Sequence, residues 1–124
     1  MKFLLDTNFL LIPGQFGVDV FSELSVFGKP ELYTLKSVLS ELEKLSAGRG
    51  RNGRAARIGI AMLEKNSVTM LRPRKNEATD DQIIRAARKG DFAVCTQDAA
   101  LAGRLKGTGI KVVTLRHKKY LEMA

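Results

Sequence analysis

Apolar residues along this chain come in short runs whose period switches between that of a strand and that of a helix. Lys2–Leu5 is a compact apolar run ending at Asp6, the pattern of a buried strand. The stretch Gly17–Phe27 predicts a helix closed by Gly28 and Pro30, and Glu31–Leu35 a second strand. Between Ser37 and Leu45, Val38, Leu39, Leu42 and Leu45 recur at helical spacing, with Gly48 as a stop. A loop over Gly48–Gly53 leads into a basic helix running from Arg54 to Lys65, and Ser67–Leu71 reads as a strand. Thr79 is a good N-cap for a helix carrying Ile83, Ile84, Ala86 and Ala87 and stopped by Gly90. Phe92–Thr96 then reads as strand, Ala99–Lys106 as helix and Ile110–Leu115 as a last β-branched strand.

Strands alternating with helices imply parallel pairing, hence an α/β protein built as a three-layer α/β/α sandwich around about five parallel strands. At 124 residues the whole chain, 1–124, is expected to make one domain. Ligands of such sheets bind beyond the carboxyl ends of the strands, near the point where strand order reverses.

Composition narrows the class. The chain is 44% hydrophobic, enough for an ordinary core. No apolar run approaches the ~20 residues that span a bilayer, and Asp6 interrupts the only N-terminal run that resembles a secretory signal. One cysteine, Cys95, allows no internal disulfide, and with a single histidine, His117, the chain lacks the ligands of a Cys/His zinc site. A soluble cytoplasmic protein with no membrane partner is expected. The charge adds a partner: 21 Lys and Arg against 13 Asp and Glu give +8, which suits a polyanion such as RNA. Between Lys44 and Lys75 nine bases face one acid, Glu64, so the basic charge is segregated from the acids.

Those acids fall at telling places. Asp6 ends the first predicted strand, and Asp98 follows the strand ending at Thr96. Glu41 lies on the helix after the second strand, and Asp80 and Asp81 open another helix. One or two such carboxylates are explained as helix caps. Three or four drawn to one edge would repel one another unless a cation lay between them. With oxygen donors alone, that cation would be Mg²⁺ or Mn²⁺, which can activate water against a phosphodiester.

The segments FLLDTNFLL (Phe3–Leu11), VLSELEKL (Val38–Leu45), ATDDQIIRAA (Ala78–Ala87) and VCTQDAAL (Val94–Leu101), closing with IKVVTL, resemble the PIN-domain nucleases in order and spacing. The resemblance covers nearly the whole chain and implies a parallel α/β/α fold with Mg²⁺- or Mn²⁺-dependent endoribonuclease activity. It makes Asp6, Glu41, Asp81 and Asp98 the catalytic and metal-binding acids, with Asp80 a rival or accessory to Asp81. It gives Asn8 the bracing of Asp6, and Thr96 a hydrogen bond to a ligand or water. Ala99 and Ala100 stand where many relatives have another acid or a bulky residue, which leaves open whether one or two ions bind. Within the family the chain is similar to both the archaeal VapC toxin-type and the rRNA-processing branches. The first implies a small antitoxin as partner, the second a ribosomal precursor, and both imply a homodimer.

Other signals carry less. Gly48–Gly53 spells G-x-G-x-x-G but follows a helix rather than a strand, so it is a basic loop, with Arg49, Arg51, Arg54 and Arg57 as expected RNA contacts. His117 belongs to a polar surface run, and Cys95 to a buried strand with no His placed to activate it. Asp91 reads as a turn residue and Glu43 as solvated, while Phe16, Phe21, Phe27 and Phe92 are expected in the core. Two competing functions remain: an RNA-binding module without catalysis, and a phosphotransfer domain using Asp6 as nucleophile. The latter suffers because Asn8 stands where a second Asp would be needed.

Overall fold

The computed structural model describes residues 1–72 and 76–124. The run Lys2–Leu5 forms strand β1, with Phe3, Leu4 and Leu5 fully buried. It pairs on both sides, in parallel with β2 (Glu31–Leu35) and β4 (Ala93–Cys95). A strand flanked on both edges and covered on both faces has to be apolar throughout, which accounts for its sequence. Beyond β2 lies β3 (Thr69–Leu71), and beyond β4 lies β5 (Val112–Arg116), both parallel to their neighbours.

The sheet has a sixth strand that the hydrophobic pattern did not announce. β6 (Tyr120–Met123) runs antiparallel to β5, giving the order β3-β2-β1-β4-β5-β6. The polar run before it is a hairpin turn. His117 and Lys118 are left-handed (φ 53° and 57°), and Lys119 N–H donates to the Arg116 carbonyl at 3.0 Å. An edge strand with one face in solvent needs few apolar residues, so only Leu121 and Met123 mark it.

The chain leaves β1 directly into α1 (Thr7–Leu10), which Asp6 caps, and then α2 (Ile12–Phe16), with Pro13 in its first turn. The single helix expected over Gly17–Phe27 is shorter. Gly17 ends α2 at φ 69°, Asp19 caps α3 (Val20–Leu24), and a 3-10 turn covers Ser25–Phe27. Phe16 and Leu45 are exposed rather than core; Phe21 and Phe92 are buried and Phe27 half-buried.

From β2 the chain enters α4 (Lys36–Ser46) and α5 (Arg51–Lys65), which pack on each other and on α1 and α2. α5 begins at Arg51, three residues before the expected start, because the glycines let two helices meet end to end. Gly50 adopts φ 88°, and a Cβ on Gly53 would lie 2.1 Å from the Gly48 carbonyl oxygen. The G-x-G-x-x-G spacing thus builds a helix corner. α6 (Thr79–Gly90) and α7 (Ala99–Gly107) pack together beside β4 and β5. Helices α1, α2, α4 and α5 pack together and α6 packs with α7, and strand order reverses between β1 and β4. Among the described residues no helix is long and apolar enough to cross a membrane.

α5 approaches α1 so closely that a Cβ on Gly59 would stand 2.6 Å from the Leu10 carbonyl oxygen. Gly59→Val should therefore lower stability by about 2 kcal/mol, as overpacking against backbone does. It should appear in urea as a lower midpoint with unchanged slope. An unchanged midpoint would show that the helices can part without loss.

Candidate active site

The crevice where strand order reverses is bordered by the residues that follow β1 and β4. Register carries Asp6 and Thr96 side by side, since Leu5 pairs with Cys95 and Asp6 N–H donates to the Cys95 carbonyl at 3.0 Å. Asp6 is only 6% exposed. Its Oδ1 accepts from Thr7 N–H at 2.8 Å and its Oδ2 from the Thr96 hydroxyl at 2.8 Å. The Thr96 hydroxyl oxygen in turn accepts from Asp98 N–H at 3.1 Å. Asp98 also caps α7, its Oδ1 accepting from Leu101 N–H at 3.0 Å. Both strand-end acids are therefore genuine helix caps. Capping uses one oxygen of each.

Asn8, expected to brace Asp6, braces the neighbouring loop instead. Its carbonyl oxygen accepts from Gln97 N–H at 2.8 Å and lies 3.2 Å from the Thr96 hydroxyl. Thr96, expected to hydrogen-bond a ligand or water, does so to Asp6, the first of the expected metal-binding acids.

Glu41 reaches the same edge from the middle of α4 and is held at both oxygens. Thr7 donates to Oε2 at 2.7 Å and Thr79 to Oε1 at 2.9 Å. Thr79 is thus the first residue of α6 and not its cap; Ala78 takes the N-cap position without a side-chain bond. A second bridge, from the Ser37 hydroxyl to Gln82 Oε1 at 2.8 Å, ties the same two helices. Thr7 was not singled out in the sequence, and Thr79 only as a helix cap. The only hint was a threonine beside each acidic motif.

The two acids of α6 part company. Asp80 feels the like charges of Asp98, Glu41 and Asp81, whereas Asp81 forms an ion pair with Arg104 at 2.8 Å, both side chains about half exposed (52% and 53%). Burial, reinforced by the charges of Asp80 and Glu41, pushes the Asp6 carboxyl above its ordinary range despite its two hydrogen bonds. Partial burial and Asp98 push Asp80 up as well, with Arg104 pulling the other way. Asp6, Glu41, Asp80 and Asp98 therefore form one electrostatic group, with Asp81 at its margin. Among the described residues no three of them stand close enough to form a ready-made metal cage. The donor set itself, oxygen only and repelled by its own charge, fits a hard cation. A cavity of about 700 Å³ lies at the opposite edge beside Lys2, Phe92 and Lys111 and touches none of these acids.

Residues 3–118 match the PIN like domain family. The chain belongs to that family. Ribonuclease VapC9 of Archaeoglobus fulgidus is 33% identical over 116 residues, covering 93% of this chain and 83% of that one. Ribonuclease VapC4 of Methanocaldococcus jannaschii is 28% identical, covering 98% and 95%. The PIN domain endonuclease Utp24 shares the fold at a TM-score of 0.82 and 24% identity, over 98% of this chain and 90% of that one. The PIN-like assignment agrees with the mostly parallel sheet.

In this PIN-like site the expected RNA contacts divide. Arg51 donates to the Gln15 carbonyl at 3.2 Å, and Arg57 to the Ser46 and Gly48 carbonyls at 2.8 and 3.3 Å. These two shape the helix corner, while Arg49 and Arg54 are exposed and make no such bond among the described residues. Arg74 and Lys75, the end of the basic segment, lie outside the described residues. Cys95 is buried, which pushes its thiol pKa up, and His117 is exposed, so neither serves the site.

A carboxyl with a raised pKa holds its proton more tightly folded than unfolded, so its contribution to stability falls as pH rises through that window. In EDTA, Asp80→Asn should stabilise the protein by up to about 1 kcal/mol at neutral pH, the scale of solvent-screened charges. That gain should shrink toward zero below about pH 4. Thermal melts across pH test this, and a pH-independent difference would refute an electrostatic origin. Thr96→Val removes the donor to a buried carboxylate and should cost about 1–3 kcal/mol, with Thr96→Ser restoring most of it.

Proposed function

We propose that this protein is a Mg²⁺- or Mn²⁺-dependent endoribonuclease acting in the cytoplasm. One observation carries it: four carboxylates from separate elements repel one another at the switch point of a PIN-like sheet. The names of the two VapC relatives support RNA as the substrate. Asp6, Glu41, Asp80 and Asp98 would hold the ion. Asp80 is preferred to Asp81 because Asp81 is engaged by Arg104. When bound, the ion lowers the pKa of a water and offsets charge developing on the phosphodiester. The chain's own part is orientation. Thr96 and the backbone of Thr7 fix both oxygens of Asp6, and the Thr7 and Thr79 hydroxyls fix both oxygens of Glu41. Arg49 and Arg54, both exposed, would meet phosphates outside the scissile bond.

An RNA-binding module without catalysis is the second reading, favoured by the lack of a ready-made acid trio among the described residues. The two separate cleanly. Purified protein should cleave RNA with Mn²⁺, lose that in EDTA, and lose at least 100-fold with Asp6→Asn, the scale on which positioned catalytic groups act. Equal cleavage by wild type and Asp6→Asn would sink the nuclease reading. Binding of RNA without cleavage, and without Mn²⁺ uptake by calorimetry, would establish the second.

The VapC relatives favour a toxin-type member held by a small antitoxin and pairing with a second copy of itself. The rRNA-processing role predicts a ribosomal precursor instead. What accompanies the native protein through gentle purification distinguishes them.

A further inference from the structure

Besides the basic corner at α5, the structure brings Arg104 against the basic residues Arg85, Arg88 and Lys89 to make a second cationic surface. A furrow of about 460 Å³ runs between α6 and α7, lined by Asp81, Ile84, Arg85, Arg88, Lys89 and Arg104. Asp81, Ile84, Arg85 and Arg88 share one face of α6 by helical spacing, and Arg104 faces them from α7. Arg85 is committed to Glu77 at 2.6 Å and Arg104 to Asp81 at 2.8 Å. Arg88 and Lys89 are exposed and have no ion-pair partner among the described residues.

The bland account is that Arg88 and Lys89 offset the C-terminal dipole of α6. That accounts for charge in the last turn, but not for a furrow that runs from there to Asp81, next to Asp80 at the margin of the acidic edge. Arg104 makes the connection: it holds Asp81 and also acts on the charge of Asp80. From Asp80 to Arg88 the helix rises about 12 Å, within reach of the next nucleotides of a strand cut at the acids. Ile84, half-buried in the floor, offers an apolar surface to sugar or base. An acidic protein would match the charge alone. Continuity with the carboxylates favours the strand that carries the scissile bond.

We infer that the α6–α7 furrow is the track along which the RNA strand leaves the acidic edge. Arg88 and Lys89 hold its phosphates, and Arg104 stands between Asp81 and the phosphate nearest the carboxylates. The inference rests on the nuclease reading for its direction, but binding can be tested without cleavage.

The experiment is fluorescence anisotropy of a labelled single-stranded oligoribonucleotide in EDTA, titrated over a range of KCl. Two lost phosphate contacts should flatten the log–log salt slope of Arg88→Gln/Lys89→Gln by about 1.4. Lys29→Gln/Lys65→Gln removes the same charge from exposed positions that line neither the furrow nor the cavity that Arg88 shares with Lys111, and should leave the slope unchanged. Melting curves check that both variants are folded. An unchanged slope in the first variant, or equal flattening in the second, overturns the track. So does a first variant that binds RNA normally yet loses a protein partner. Wild type that binds RNA in this way but never cleaves it refutes the nuclease reading and leaves the track standing.

Discussion

The carboxylate of Asp6 is held out of water at the end of the central strand, and the rest of the site is arranged around that unfavourable placement. Burial disfavours its charge, and the neighbouring charges of Asp80 and Glu41 disfavour it further. Two hydrogen bonds, from the Thr7 backbone and the Thr96 hydroxyl, return only part of that loss. A chain selected for stability alone would put a neutral cap there, since serine or asparagine caps a helix as well as aspartate does. The charge has to be wanted for something that stabilises it. A divalent cation does so directly, because it reverses both the desolvation and the repulsion.

The threonines explain how separate elements act together. Thr96 links Asp6 to the turn that carries Asp98, and Thr7 and Thr79 clamp Glu41 between the start of α1 and the start of α6. Each hydroxyl is a short side chain on a strand end or first helical turn, so its reach is set by backbone register. With Leu5 opposite both Thr34 and Cys95, the residues just beyond the strands converge without any long flexible side chain. Glu41 is the exception, and it is the acid that needs two donors to fix it.

Much of this was legible in the sequence where a local rule decides the outcome. The buried strand before Asp6, the helix on Ile83 and Ala87, and the strand holding Cys95 all follow from apolar period, and their alternation gives the parallel sheet. What escaped depended on partners remote in sequence. β6 carries too few apolar residues to announce itself, and is strand only because β5 offers an unpaired edge. Thr79 has the composition of a helix cap, yet Glu41, 38 residues away, claims its hydroxyl. Spacing could not choose between Asp80 and Asp81, because the choice depends on Arg104 arriving from another helix.

Shape bears on the kind of substrate. A half-open cavity of about 700 Å³ lies at the amino ends of the strands and touches none of the four acids. A small molecule gains most of its affinity from an enclosing pocket. A polymer can instead be held by charges spread along its length, leaving the reacting bond to meet an exposed cluster. Basic residues gather at the corner before α5 and in the furrow beside α6. They can supply that distributed hold, while the carboxylates, repelling one another and the phosphates alike, cannot bind the strand without a cation. Affinity and chemistry are thus assigned to different residues, and salt should weaken the first without touching the second.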